Sequence, residues 1–198
     1  MKLVQLSETD QLELKMLGRS AFEVNGQISV KEGKVTKIQY RKGQIMEPCY
    51  NGCVLNFHTH PPDYDTLYPD HPSATDFKYI HKATCQLKEL SAHLVCTPKY
   101  LYVIYYKCKN PIFQCFDLFT IRSRIDAKFK KLALNFDRAG EDFRQAWMKE
   151  MCATGFNVQR YSWGDEIGFL VPEFRFNLYQ KLIFVILIVI AARVIFFT

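Results

Sequence analysis

The sequence predicts an α/β protein, and three observations predict it. Gln27–Tyr40 alternates apolar Ile28, Val30, Val35 and Ile38 with polar residues, the period of half-buried strands. Tyr100–Tyr106 (YLYVIYY) is an unbroken aromatic and β-branched run. Between Ser123 and Ala153, apolar residues Ile125, Phe129, Leu132, Phe136, Phe143, Trp147 and Met151 recur at helical spacing and make one face.

Taken in order, Gly33 after Glu32 reads as a hairpin turn within the alternating segment. Cys53–Phe57 (CVLNF) is short and apolar, the pattern of a buried strand. A Pro-rich stretch, 61–72, precedes a helical pattern from Ala74 to about Leu90. Ala92–Val95 and Tyr100–Tyr106 read as strands joined by a Thr97-Pro98-Lys99 turn. The stretch 123–153 reads as one long helix or a helical pair interrupted at Gly140, with Gly155 as its stop. A last hairpin is expected over 157–171, with Val158–Trp163 and Glu166–Val171 flanking Gly164-Asp165.

The chain of 198 residues is 48% apolar and 23% charged, which suits one domain with an appendage and excludes a disordered or low-complexity polymer. The domain is expected over residues 1–175, and a hydrophobic membrane segment over 178–198. From Leu182 the chain reads LIFVILIVIAARVIFFT, in which 13 of 17 residues are Leu, Ile, Val or Phe. As a helix that run spans roughly 25 Å, the short limit for a bilayer. Its side chains favour insertion by about 4 to 8 kcal/mol, and Arg193 lies near enough to the end to snorkel. A transmembrane anchor is therefore expected; docking of the same run within an assembly is the alternative.

The net charge of +6 is spread along the chain, so no nucleic acid partner is expected. Seven Cys, an odd number, and no apolar run in Met1–Asp10 point to reduced thiols on the cytosolic side. Cys49 and Cys53 have no second pair to complete a zinc ribbon.

The chemistry concentrates in Asn56–Asp76. If His58 and His60 extend the CVLNF strand, period-two geometry puts both imidazoles on one face, which suits two ligands of one tetrahedral zinc. Ser73 would be the N-cap of the next helix and Asp76 its third residue, where an acidic side chain can reach back towards a strand end as a third ligand. Ser-x-x-Asp is also a capping box, and that alternative stands beside the metal. Weaker rivals are a second, structural zinc from His81, Cys85, His93 and Cys96, and His71 as a stray ligand or gate. Asp63, Asp65 and Asp70 are expected to be solvated.

His58-Thr59-His60-Pro61 followed by Ser73-Ala74-Thr75-Asp76, with Glu23-Val24-Asn25-Gly26 upstream, resembles the signature of the JAMM/MPN (JAB) metallopeptidases over residues 10–110. The resemblance implies a curved mixed β-sheet packed with α-helices. It also implies one catalytic Zn2+ on His58, His60 and Asp76, with Glu23 as general base and Ser73 as oxyanion donor. Glu32 and Glu13 compete with Glu23 for the basic role. The substrate implied is a peptide or protein, ubiquitin-like proteins included. Twelve residues separate His60 from Ser73, and Tyr64, Leu67 and Tyr68 stand where eukaryotic deubiquitinases carry a Trp. In style the chain is closer to the prokaryotic and viral branches. A non-catalytic scaffold subunit in a large assembly, such as a membrane-containing virus particle, is the alternative function.

Overall fold

The computed structural model describes residues 2–42, 55–61, 70–85, 92–107, 114–138 and 140–171. The expected membrane segment, Cys49, Cys53, Asp63 and Asp65 lie outside the described residues. Among those residues no helix is long and apolar enough to cross a membrane.

Eight strands form one mixed sheet: β1 (Lys2–Gln5), β2 (Val24–Lys31), β3 (Lys34–Lys42), β4 (Leu55–Thr59), β5 (Ala92–Cys96), β6 (Tyr100–Tyr106), β7 (Phe156–Ser162) and β8 (Gly168–Val171). Their spatial order is β7-β6-β5-β4-β2-β3-β1-β8. The β4–β5 and β1–β3 pairs are parallel and the others antiparallel. Helices α1 (Glu8–Gly18), α2 (Ala74–Cys85), α3 (Gln114–Asn135) and α4 (Glu141–Ala153) complete the described fold.

Local chemistry explains the elements that frame the centre of the sheet. Glu32 (φ 53°) and Gly33 (φ 82°) both adopt the left-handed conformation, so β2 and β3 are joined by the expected two-residue turn. Side chains on β6 alternate: Leu101, Val103 and Tyr105 enter one core, while Tyr102, Ile104 and Tyr106 enter another. The first core gathers Val4, Leu14, Val24, Ile28, Leu55, Phe57 and Phe169 beneath α1. The second lies under α2, α3 and α4 and is built on Phe77, Ile80, Ile125, Phe143, Trp147, Met151 and Phe156. With both faces covered, β4 and β5 are buried at every position, which is why they read as apolar runs rather than alternating ones.

Of the two forms expected for 123–153, the helical pair interrupted at Gly140 is the one found; α3 starts earlier, at Gln114, and Gly140 is the N-cap of α4. Phe136, expected on the buried face, falls in the turn after α3 and is exposed. The hairpin expected over 157–171 does not form, since β7 pairs with β6 and β8 with β1 at opposite ends of the strand order. The sheet curls until these ends face one another. The Tyr161 hydroxyl of β7 donates to the Gly168 carbonyl of β8 (2.9 Å), and Leu6 N–H donates to the Ile167 carbonyl (3.1 Å). Glycine at 164 turns the chain, but the partner that β8 finds is the N-terminal strand.

Candidate metal centre

The site is built where β4 ends beside the start of α2. His58 is the fourth residue of β4, and His60 follows the strand by one residue. His60 N–H donates to the Cys96 carbonyl of β5 (2.9 Å), which prolongs the strand geometry and keeps both imidazoles on the α2 side. At the mouth of α2, Ser73 N–H donates to Asp76 Oδ2 (2.6 Å) and Asp76 N–H donates to Ser73 Oγ (3.3 Å). That is a capping box in full. The carboxylate that caps the helix also faces both histidines. Asp76 Oδ1 lies 3.1 Å from His58 Nε2, and Oδ2 lies 3.4 Å from His60 Nε2.

The two Nε2 atoms are 3.0 Å apart. Three donor atoms of one tetrahedral ion, each about 2.0–2.1 Å from it, would stand about 3.3 Å from one another. The two Nε2 atoms, 3.0 Å apart, come near that spacing, and each faces a different oxygen of the Asp76 carboxylate, at 3.1 and 3.4 Å. All three side chains are buried, and among the described residues they are the group of His, Cys, Asp and Glu whose ligand atoms converge. Burial works against the Asp76 charge, but the two imidazoles overcome it and hold the carboxyl well below the usual carboxylate range. An ionised carboxylate beside two imidazole nitrogens is a donor set that could hold a metal ion.

Glu23 stands immediately before β2, half-buried, and lines the same cavity of about 120 Å³ as Asn25, Asn56, His58, Thr75, Asp76, Tyr79 and His93. Two contacts hold the start of β2 there. Val24 N–H donates to Thr59 Oγ1 (2.9 Å), so the residue between the two histidines anchors the residue after Glu23. Gly26 packs against Phe57 so closely that a Cβ would sit 2.2 Å from the ring and 2.5 Å from the Gln39 carbonyl. Any larger residue would push β2 off β4. Glu32, in the hairpin turn, and Glu13, on α1, are not on the wall of this cavity, nor is Ser73.

The rival sites resolve differently. His71 is buried, with Nδ1 2.9 Å from the Pro72 carbonyl, Nε2 3.2 Å from the Arg138 carbonyl and its ring against Phe143. Burial lowers its pKa to about 4, the Pro72 carbonyl partly opposing. It is a tie between α2 and the α3–α4 turn rather than a ligand or a gate. Trp147 Nε1 donates to the same Pro72 carbonyl (2.8 Å), bracing the approach to Ser73 from α4.

His81 packs edge-on to Tyr106, and the Cys85 side chain lies outside the described residues. The buried Cys96 thiol has its pKa pushed up by burial, the wrong direction for a thiolate ligand. His93, weighed as a ligand of a second zinc, meets His58: its Nε2 is 2.6 Å from His58 Nδ1. Burial, then the neighbouring His58, lower its pKa to about 3, with Asp76 opposing. Asp70 is not simply solvated, since Lys99 Nζ lies 2.9 Å from its carboxylate.

Gly26, Thr59, His93 and Trp147 were not legible as parts of the site. Each acts across the sheet or between layers, and only Gly26, inside the upstream Glu-Val-Asn-Gly, carried a local signal. Comparison with known proteins supplies no relative: no family model, curated protein or solved structure matches the chain.

Proposed function

We propose that the chain is a JAMM-type zinc metallopeptidase that hydrolyses a peptide or isopeptide bond. The observation that carries this reading is the meeting of His58, His60 and Asp76, with Glu23 on the wall of the cavity that His58 and Asp76 line. His58, His60 and Asp76 would hold the zinc, which when bound would supply an acidified water and polarise a carbonyl. Glu23 would serve as the base, holding a proton from the attacking water and passing it to the leaving nitrogen. The Ser73 hydroxyl, whose oxygen already accepts from Asp76 N–H, keeps its own proton to offer a developing oxyanion. The apolar run after Leu182 tethers this domain to a membrane.

Elemental analysis of the full-length protein tests the reading. One zinc per chain is expected, lost in His60→Ala and Asp76→Ala and retained in Glu23→Gln. Cleavage of isopeptide-linked diubiquitins and of a peptide library, followed by mass spectrometry, should fall about 10²- to 10⁴-fold in Glu23→Gln. A wild-type protein without a stoichiometric cation, and indifferent to Glu23→Gln, would leave the scaffold role instead.

A further inference from the structure

His93 sits in the middle of β5, the strand parallel to β4, where the register pairs it with Asn56 and turns it to the same side of the sheet as His58. Its Nε2 lies 2.6 Å from His58 Nδ1, and the two rings are tilted by 31° with centroids 4.9 Å apart. On the opposite edge of the His58 ring, Nε2 is the atom that faces His60 and Asp76. These two contacts constrain the protons. A cation on His58 Nε2 needs the lone pair there, so the His58 proton must reside on Nδ1. The atom facing that proton, His93 Nε2, must then accept, which puts the His93 proton on its own Nδ1. That nitrogen is buried and has no hydrogen-bond partner among the described residues.

We propose that His93 is a positioning residue of the metal centre: it accepts the His58 Nδ1 proton and so locks the tautomer and ring rotation that aim His58 Nε2 at the cation. The inference rests on His58, His60 and Asp76 being ligands. A buried imidazole with one orphaned nitrogen is a poor core residue, because its N–H gives up water and gains no acceptor in return. A leucine would suit the packing better. What a leucine lacks is an acceptor for His58. Tyr79 steadies the arrangement from α2, its ring edge-on to His93 at 5.4 Å, and Asn56 Nδ2 donates to its hydroxyl (3.4 Å).

The test compares full-length wild type, His93→Leu and His93→Gln. Zinc affinity is measured by competition with a chromophoric chelator, and thermal stability is measured on the metal-free chains. Partners of this kind change metal affinity by about 10- to 100-fold. His93→Leu is expected to weaken zinc binding by that factor while leaving the metal-free melting temperature unchanged or higher. His93→Gln, which restores an acceptor oxygen, is expected to recover most of the affinity. ¹⁵N-resolved spectra of the metal-free wild type should show His58 protonated on Nδ1, and His93→Leu should mix its tautomers.

Zinc affinity within twofold of wild type in His93→Leu would overturn the proposal. So would a Gln variant as impaired as the Leu variant, or a melting temperature that falls in step with affinity in both. Wild type that binds no zinc sinks the ligand reading itself, an outcome distinct from all of these.

Discussion

A carboxylate, an imidazole or a glycine acquires its role here from what the sheet places within 3–4 Å of it. Ser7-x-x-Asp10 and Ser73-x-x-Asp76 are the same local device, and both form reciprocal capping bonds. The first is exposed and only starts α1; the second meets two histidines. His71 shows the electrostatic side of burial. Unfolded, it takes a proton near pH 6.5; folded, it resists until about 4. Between those values the unfolded chain binds more protons, so this contribution to stability is complete above pH 6.5 and is lost as pH falls towards 4. Its full extent is on the order of 3 kcal/mol. Urea midpoints at pH 7.5 and 4.5 should therefore converge in His71→Asn relative to wild type, and an unchanged pH slope would refute the assignment. Gly26→Ala should lower stability by about 2–3 kcal/mol or more, because the added Cβ meets backbone as well as the Phe57 ring. The same variant should impair any step that depends on Glu23.

At the scale of elements, α4 acts on the candidate site through the segment before α2, by way of Pro72. Its Trp147 fills the space between Phe77 and Phe129, with ring centroids 5.4 and 5.1 Å away, and its indole N–H reaches Pro72, one residue before Ser73. Trp147→Phe keeps most of the bulk and loses the hydrogen bond, leaving a buried carbonyl short of one donor. A loss of about 1–2 kcal/mol is expected by chemical denaturation, against about 3–5 kcal/mol for Trp147→Ala. A Phe variant as stable as wild type would mean that the bond to Pro72 contributes nothing. Strand β2 plays the complementary part: Thr59 and Gly26 register it against β4, and Glu23 enters the cavity as a consequence.

For the whole molecule, the curled sheet separates two cores and sets the histidine strand at its centre, where both faces are covered. A cation bound only by the folded chain stabilises it by mass action, about 2.7 kcal/mol at a hundredfold excess over Kd. In a domain of this size that is a rise of roughly 5–10 °C in Tm. Zinc added to chelator-treated protein should produce this shift, and Asp76→Ala should abolish it. An equal shift in the variant would place the binding elsewhere. The N-terminal strand closes the other side of the fold by pairing with β8, an arrangement no local signal announced. Sequence patterning finds a turn at Gly164-Asp165 and two β-prone segments around it. It cannot tell that each segment pairs with a different, distant strand.

By itself the sequence determined the alternation of β2 and β3, the turn at Glu32-Gly33, the apolar strands β4 to β6, the helical face of 125–151 and the His-x-His and Ser-x-x-Asp spacings. These are legible because period and turn chemistry act over a few residues. The tertiary structure alone decided that Asp76 faces both histidines, that Glu23 shares a cavity with His58 and Asp76, and that His93 stands behind His58. Those relations depend on strand register and on how α2 lies across the sheet. Both are set by the packing of residues 35 to 75 positions apart, which no local pattern encodes.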